Sequence, residues 1–226
     1  MANVYEALQR GRKKTVPIVP PRSHVTAPLP MAFGPEMRTL AGRLQPLLDD
    51  RKPVILAITA SMSGEGASTV ARGLAQYLAG EGHAVLFCGN PADLGMARGE
   101  GTLVGAAQVR ELRQTGQRGL VSVDISDLQR SDSGSAGKIA FRDWLKANRD
   151  PYDVIIIDVP PLLQHQSWSA FMGYPDGIIM VVEAERARSS VMKATTHIIE
   201  EASGHVLGLV FNKRRQYIPR SFYKWV

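Results

Sequence analysis

Long apolar runs and cysteine pairs are both missing from this chain. No apolar stretch approaches the ~18 residues that a membrane-spanning helix needs, and the N-terminus carries no recognisable signal peptide. The single cysteine, Cys88, excludes an internal disulfide and is predicted to be a small buried residue in a core strand. With 226 residues, 44% of them hydrophobic, we expect one cytoplasmic α/β domain flanked by tails.

Acidic residues are scarce at both ends of the chain. Residues 10–14 hold four cations and no acid, and residues 16–35 hold six prolines. We therefore predict a basic, Pro-rich arm over residues 1–35 and a basic, aromatic tail over residues 214–226. Either segment is a solvated tail or a docking element for a partner or an anionic surface. The net charge of +6 favours acidic partners such as phosphate, anionic lipid or nucleic acid.

The stretch from Val54 to Gly89 organises the rest of the sequence. It begins with the apolar run VILAITA, which is typical of a strand buried on both faces. A Gly/Ser loop follows, then a segment with apolar residues at helical spacing, and then a second apolar run over residues 84–88. Strand, Gly-rich loop, helix and strand form the βαβ unit whose loop can hold phosphate, because backbone N–H groups and the helix dipole converge there.

The loop lacks the lysine that phosphate-binding loops of the GxxxxGK[ST] type carry. In residues 61–68, SMSGEGAS, the second glycine and the final hydroxyl are present, but Ala67 stands at the lysine position. That lysine reaches the β- and γ-phosphates and stabilises the transferring group, and alanine cannot replace it. The sequence therefore predicts a phosphate-loop fold with a broken catalytic element.

The rest of the chain alternates predicted strands and helices. This order favours a parallel sheet covered by helices on both faces, a P-loop NTPase-like α/β fold. Predicted helices cover Glu36–Leu48, Leu103–Arg113, Ile139–Ala147 and Ser189–Ala202, with a flexible loop at Ser131–Gly137. Further predicted strands cover Leu120–Ile125, Tyr152–Leu163, Asp176–Ala184 and Val206–Phe211.

Asp158 follows the apolar run VIII and precedes a Pro-Pro turn. This position predicts a carboxylate at the carboxyl end of a central strand, where α/β proteins bind their ligands. An aspartate there commonly contacts phosphate-bound Mg²⁺. The alternative is a strand-end aspartate that only caps the turn.

Taken together, these segments resemble the cytoplasmic domain of bacterial tyrosine kinases, which partner polysaccharide co-polymerases in capsule and exopolysaccharide production. That family belongs with the deviant P-loop ATPases that include the MinD and ParA groups. The resemblance covers roughly residues 33–217. It is carried by ITASMSGEGAST at 58–69, the strand at 152–163, Asp176-Gly177 and GLVFNK at 208–213.

The resemblance implies roles for individual residues. The loop would bind nucleotide phosphates, Ser68 and Asp158 would hold Mg²⁺, and Asn212 would lie near the base. Arg38 matches an arginine of the family's subunit-contact helix, which implies a homo-oligomer, and Tyr217 and Tyr223 are candidate phosphate acceptors. The implied nucleotide-binding residues are Gly64, Glu65, Gly66, Ala67, Ser68, Thr69 and Asn212.

The chain departs from the family pattern at several positions besides Ala67. Gly89 and Pro91 stand where a second acidic motif has aspartates, and Pro35 and Ala41 replace a glutamate and an arginine of the subunit-contact helix. The usual C-terminal tyrosine cluster is reduced to two tyrosines. These losses indicate a degenerate site that binds ATP or ADP with Mg²⁺ weakly or not at all. No catalytic residue is assigned.

Three functions follow as hypotheses. The first is a catalytically degenerate kinase-like module over residues 36–213, peripheral at the inner membrane, that partners a membrane co-polymerase in exopolysaccharide synthesis and export. The second is a working tyrosine autokinase with a rewired site. In that case a cation from elsewhere would act at the loop, with Arg72, Arg98 and Lys138 as candidates that are otherwise ordinary surface charges.

The third hypothesis is a ParA- or MinD-like ATPase switch, suggested by the basic charge. Binding to nucleic acid through this charge would weaken steeply with salt. We expect no nucleic-acid partner, because the basic residues cluster in the tails.

Overall fold

The computed structural model describes residues 34–50, 52–90, 94, 102–107, 110–129, 135–186 and 188–213. The helices are α1 (Gly34–Asp50), α2 (Ala67–Gly80), α3 (Ser126–Gln129), α4 (Ser135–Asn148) and α5 (Ser189–Glu201), with a 3₁₀ helix at Gln166–Phe171. The strands are β1 (Val54–Ala60), β2 (Val85–Gly89), β3 (Thr102–Ala107), β4 (Arg110–Gln114), β5 (Leu120–Asp124), β6 (Val154–Asp158), β7 (Gly177–Glu183) and β8 (Val206–Asn212).

The strands form one sheet in the order β3-β4-β5-β2-β6-β1-β7-β8. The six strands from β5 to β8 in this order pair in parallel, whereas β3 and β4 add an antiparallel hairpin beside β5. The predicted α/β fold with a mainly parallel sheet is confirmed.

Strand β1 lies near the middle of the sheet and is buried along its whole length. Because successive side chains of a strand point to opposite faces, Leu56 and Ile58 join the core under α1 and α2, while Ile55 and Ala57 join the core under α4 and α5. Helices on both faces explain why the strand reads as a continuous apolar run. Cys88 is also buried, as predicted.

The helix predicted over Leu103–Arg113 is wrong. The described residues of this range lie in β3 and β4, which pair antiparallel with an irregular register between Leu103 and Gly105. Strand β4 then pairs with β5, with Leu112 opposite Val123. A glycine inside the segment disfavours a helix by ~1 kcal/mol. Pairing of β4 with the edge of β5 satisfies backbone hydrogen-bonding groups, and the local sequence pattern does not reveal this pairing.

Helix α4 begins at Ser135, so the second half of the loop predicted at Ser131–Gly137 is also wrong, and its first half lies outside the described residues. The tail, with Tyr217 and Tyr223, and the arm up to residue 33 lie outside them as well. Helix α1 starts at Gly34, and the domain boundary at residue 36 stays a prediction. No helix in the described ranges combines the length and apolarity that crossing a bilayer requires.

Candidate functional site

Residues 61–66, the β1–α2 loop, connect the central strand to helix α2. Gly64 and Gly66 have φ angles of +84° and +98°, a region that residues with a Cβ rarely adopt. The Val70 amide donates to the Gly66 carbonyl at 3.0 Å, so the helix begins directly after the loop. The first N–H groups of a helix have no intrahelical partner and carry a partial positive charge, which suits an anion at this position.

A cavity of about 810 Å³ opens at the carboxyl end of the sheet, the side at which Ala60, Gly89 and Asp158 end their strands. Its wall combines the β1–α2 loop, the first turn of α2 and side chains at the ends of β6 and β8. The structure thereby brings together the residues that the sequence singled out. These are Gly64, Glu65, Gly66, Ala67, Ser68, Thr69, Asp158 and Asn212.

Asp158 lies at the end of β6 as predicted and is only 3% exposed. The Gln129 side-chain amide donates to its carbonyl oxygen at 2.9 Å and to its Oδ2 at 3.2 Å. The half-buried Ser68 hydroxyl lies in the same cavity wall. A carboxylate and a hydroxyl are oxygen ligands of the kind Mg²⁺ prefers. Among the described residues, no group of three His, Cys, Asp or Glu side chains is placed so that it could hold a metal ion.

Glu65 folds into the loop instead of facing solvent. It is 3% exposed, and its carboxylate accepts from the Met62 amide at 2.8 Å and from the Glu183 amide at 3.4 Å. These bonds tie the loop to itself and to the end of β7. Glu65 therefore fixes the shape of the loop.

Asn212 and Lys213, at the end of β8, reach across to the loop. Asn212 Nδ2 donates to the Glu65 carbonyl at 2.9 Å. Lys213 Nζ donates to the Gly64 carbonyl at 2.5 Å and lies 3.4 Å from Glu183 Oε2. Contact of Asn212 with a base stays a prediction, and the contact that the structure does show is with the loop backbone.

Sequence reasoning missed Lys213. In the sequence it is the last residue of GLVFNK and lies about 150 residues from the loop. The signal that finds it is the pairing of β8 with β7, which sets Asn212 beside Glu183. Lys213 brings a cation to a loop that lacks one at Ala67.

The two replaced positions of the expected catalytic elements differ in their surroundings. Ala67 is 8% exposed and belongs to the core under α1 and α2. At Gly89, an added Cβ would lie 2.6 Å from the Phe87 ring and 3.3 Å from the Asp158 Cβ. An aspartate at position 89 therefore requires Phe87 to move.

Two buried polar atoms near the loop, Ser61 Oγ and His165 Nδ1, have no hydrogen-bond partner among the residues that the structure describes. His165 also lines the cavity. Buried polar groups are normally satisfied, and a ligand with oxygen or hydroxyl groups is one way to satisfy them.

Of the candidate cations named from the sequence, Arg72 and Lys138 are described, and neither lines this cavity. Lys138 was predicted to be a surface charge, and this is wrong: it is 1% exposed, with Nζ 5.6 Å from the centre of the Trp168 ring. Burial lowers the pKa of Lys138, and the nearby Asp127 carboxylate opposes that shift. Arg72 lies half-buried on α2, Arg38 is exposed on α1, and Arg98 is outside the described residues.

No protein-family model matches the chain. A search of curated proteins finds the tyrosine-protein kinase CpsD of Streptococcus agalactiae serotype III, 26% identical over 171 residues that cover 70% of this chain and 74% of CpsD. Among solved structures, the kinase domain of the Escherichia coli tyrosine kinase ETK matches with a TM-score of 0.65 and 20% identity, covering 88% of this chain and 86% of that domain.

A nucleotide-binding protein from Archaeoglobus fulgidus, solved in complex with ADP, matches with a TM-score of 0.54 and 20% identity over 81% of this chain and 74% of its own. The structural matches establish the fold. Together with the sequence match, they show that the chain is homologous to the bacterial tyrosine kinase CpsD and has the P-loop NTPase-like fold of bacterial tyrosine kinase domains.

Proposed function

We propose that the chain is a catalytically degenerate, nucleotide-binding module that partners a membrane polysaccharide co-polymerase. One observation carries the proposal: the site retains its loop geometry but has lost its catalytic lysine. The β1–α2 loop keeps the geometry of a phosphate cradle, with Gly64 and Gly66 at positive φ, while Ala67 lacks the cation that makes such a cradle catalytic.

Nucleotide binding rests on groups that are still in place. The loop backbone and the first turn of α2 would hold the phosphates, because N–H groups and the helix dipole favour anions there. Ser68 and Asp158 would hold Mg²⁺. When bound, that ion neutralises phosphate charge, and the residues of the chain only position it.

Loss of turnover rests on groups that are missing. Removing one preorganised charge aimed at a transition state costs ~10²–10³ in rate. Position 67 has lost such a charge, and at position 89 the Phe87 ring occupies the space that a side chain would need. Because the two losses affect separate elements, we expect no measurable kinase activity from this chain.

The partner and location follow from the resemblance and from the tails. The resemblance implies a membrane co-polymerase as the partner and a peripheral position at the inner membrane, and both ends of this chain are basic. The module would dock on the cytoplasmic end of such a partner and regulate the synthesis or export of a polysaccharide. Arg38, exposed on α1, is the proposed subunit contact.

Calorimetric titration with Mg·ADP and Mg·ATP, beside an ATPase assay, tests the proposal. We expect binding without turnover in the unmodified chain, and tighter binding in Ala67→Lys. Absence of binding to either nucleotide contradicts the nucleotide-binding claim. ATP hydrolysis at ordinary rates contradicts the degeneracy.

A working autokinase with a rewired site is the second candidate, and the cation at Lys213 favours it. It requires phosphate on Tyr217 or Tyr223 after incubation with Mg·ATP. Mass spectrometry of the tail decides between the two functions, since the degenerate module leaves both tyrosines unmodified.

A further inference from the structure

Lys213 stands out because it brings a positive charge to the loop from a distant part of the chain. Its Nζ lies 2.5 Å from the Gly64 carbonyl oxygen and 3.4 Å from Glu183 Oε2. Its side chain is about half exposed, at 48%, and it lines the same cavity as Ser68 and Asp158. The charge therefore lies where a bound phosphate would meet it.

The backbone holds Lys213 in an uncommon conformation. Its φ is +55°, which non-glycine residues rarely adopt. The residue before it is fixed on both sides: the Ala184 amide donates to the Asn212 carbonyl at 3.0 Å, and Asn212 Nδ2 donates to the Glu65 carbonyl. Strain of this kind persists where the surroundings impose it, and it concentrates at ligand sites.

We propose that Lys213 supplies in cis the phosphate-binding cation that the β1–α2 loop lacks at Ala67. The ligand is the outer phosphate of a nucleoside di- or triphosphate, so the inference rests on the proposed nucleotide binding. Without ligand, the Glu183 carboxylate and the Gly64 carbonyl hold the ammonium at the cavity wall. With ligand, the more strongly charged phosphate oxygens become its partners.

A purely structural role for Lys213 makes different predictions. If the ammonium only clamps the loop through Gly64, its loss weakens the binding of every nucleotide equally. A phosphate-binding cation acts chiefly on ligands that carry an outer phosphate. In a chain without Lys213, a lysine placed at position 67 can replace a lost contact with phosphate. It cannot replace a lost contact with the Gly64 carbonyl.

Calorimetry with Mg·ADP and with AMP separates these roles. We expect Lys213→Ala to weaken Mg·ADP binding by roughly 10- to 100-fold, the value of a hydrogen bond to a charged group, and to weaken AMP binding by less than about 3-fold. The matched control is Lys193→Ala, an exposed lysine on α5, which leaves both affinities unchanged. Lys213→Met keeps the apolar stem of the side chain and is expected to behave like Lys213→Ala.

The double variant Ala67→Lys with Lys213→Ala provides the rescue. We expect it to bind Mg·ADP within a few-fold of the unmodified chain. The inference is overturned if the unmodified chain binds Mg·ADP and Lys213→Ala binds it equally well, and also if Lys213→Ala loses Mg·ADP and AMP equally or is not rescued. Failure of the unmodified chain to bind Mg·ADP overturns the proposed nucleotide binding, and this inference with it.

Discussion

The two ends of the parallel sheet use their polar side chains in different ways. At the amino end, Asp153 Oδ2 accepts from the Ala84 amide at 2.9 Å and Asp176 Oδ2 accepts from the Ile55 amide at 2.8 Å. Each aspartate amide donates back to the same residue, at 2.8 Å in both cases. These carboxylates join the start of one strand to the start of its neighbour, and their function is structural.

At the carboxyl end, polar groups face a cavity. Asp158 is buried at the cavity wall, and near the same loop lie Ser61 Oγ and His165 Nδ1, which find no hydrogen-bond partner in the described part of the chain. The contrast shows that a buried strand-end aspartate is not by itself a sign of function. What distinguishes Asp158 is the space in front of it and the glycine loop beside it.

The largest expected effect is at Gly66. In Gly66→Ala the new Cβ would clash with Asn212 Nδ2 at a φ of +98°, so both backbone strain and the lost Asn212 hydrogen bond contribute, about 3 kcal/mol together. We expect a corresponding fall in stability in urea unfolding and no detectable Mg·ADP binding by calorimetry.

Gly64→Ala is the matched control for Gly66→Ala. Gly64 has a φ of +84°, and apart from its chain neighbours no described residue has an atom within 4 Å of an added Cβ, so only the strain remains, about 1 kcal/mol. Equal losses in the two variants would show that the approach of Asn212 to the loop does not matter.

Asp176→Ala tests the amino end. It leaves the Ile55 amide without its carboxylate acceptor, which costs about 2 kcal/mol of unfolding free energy. Mg·ADP affinity should stay unchanged, because the site lies at the other end of the strand. Asp176→Asn keeps an acceptor and should retain most of the stability. A loss of affinity without a loss of stability would contradict the assignment of this end to structure.

Asp158→Asn tests the carboxyl end, where we expect a loss of affinity without a loss of stability. Since the amide is a poorer Mg²⁺ ligand than the carboxylate, we expect Mg·ADP binding to weaken about 10-fold and Mg²⁺-free ADP binding to stay nearly constant. The melting temperature should change little. If the variant is instead strongly destabilised and its Mg²⁺ dependence is unchanged, Asp158 belongs with the structural aspartates.

The sequence was sufficient for the parts of the molecule that depend on local patterns. The buried run of β1, the glycine turn and the carboxylate at the end of β6 each follow from residues that are adjacent in the chain, and the structure has them as predicted. The hairpin of β3 and β4 was missed because it forms by pairing with β5, which no local periodicity encodes.

The missed parts of the site have the same cause. Lys213 reaches the loop only because β8 pairs with β7, and the Phe87 ring fills the space beside Gly89 only because of side-chain packing. Lys138 shows the opposite error, a charge predicted to be exposed that is buried. A lysine after a Gly/Ser stretch is expected at the surface, but the packing of α4 against the 3₁₀ helix buries it. Tertiary pairing therefore decides which charges belong to the site.

The smallest expected effect is at Lys138. A substitution there tests whether a buried lysine that does not line the cavity contributes to nucleotide binding. Burial lowers its pKa from the ordinary 10.5, so the unfolded chain binds more protons than the folded one between the lowered value and 10.5. Stability from this group therefore rises as the pH increases through that window. Lys138→Met removes the desolvation cost together with the contact to Trp168 and the attraction of the Asp127 carboxylate, and these opposing changes should leave the unfolding free energy at pH 7 within about 1 kcal/mol. Urea unfolding at pH 7 and pH 10 should show a smaller rise of the unfolding free energy with pH for the variant than for the unmodified chain, and Mg·ADP affinity should be the same in both.

A Mg·ADP affinity that falls in Lys138→Met as much as in Lys213→Ala would place Lys138 in the site. It would also remove the distinction between buried charges and charges that face the cavity.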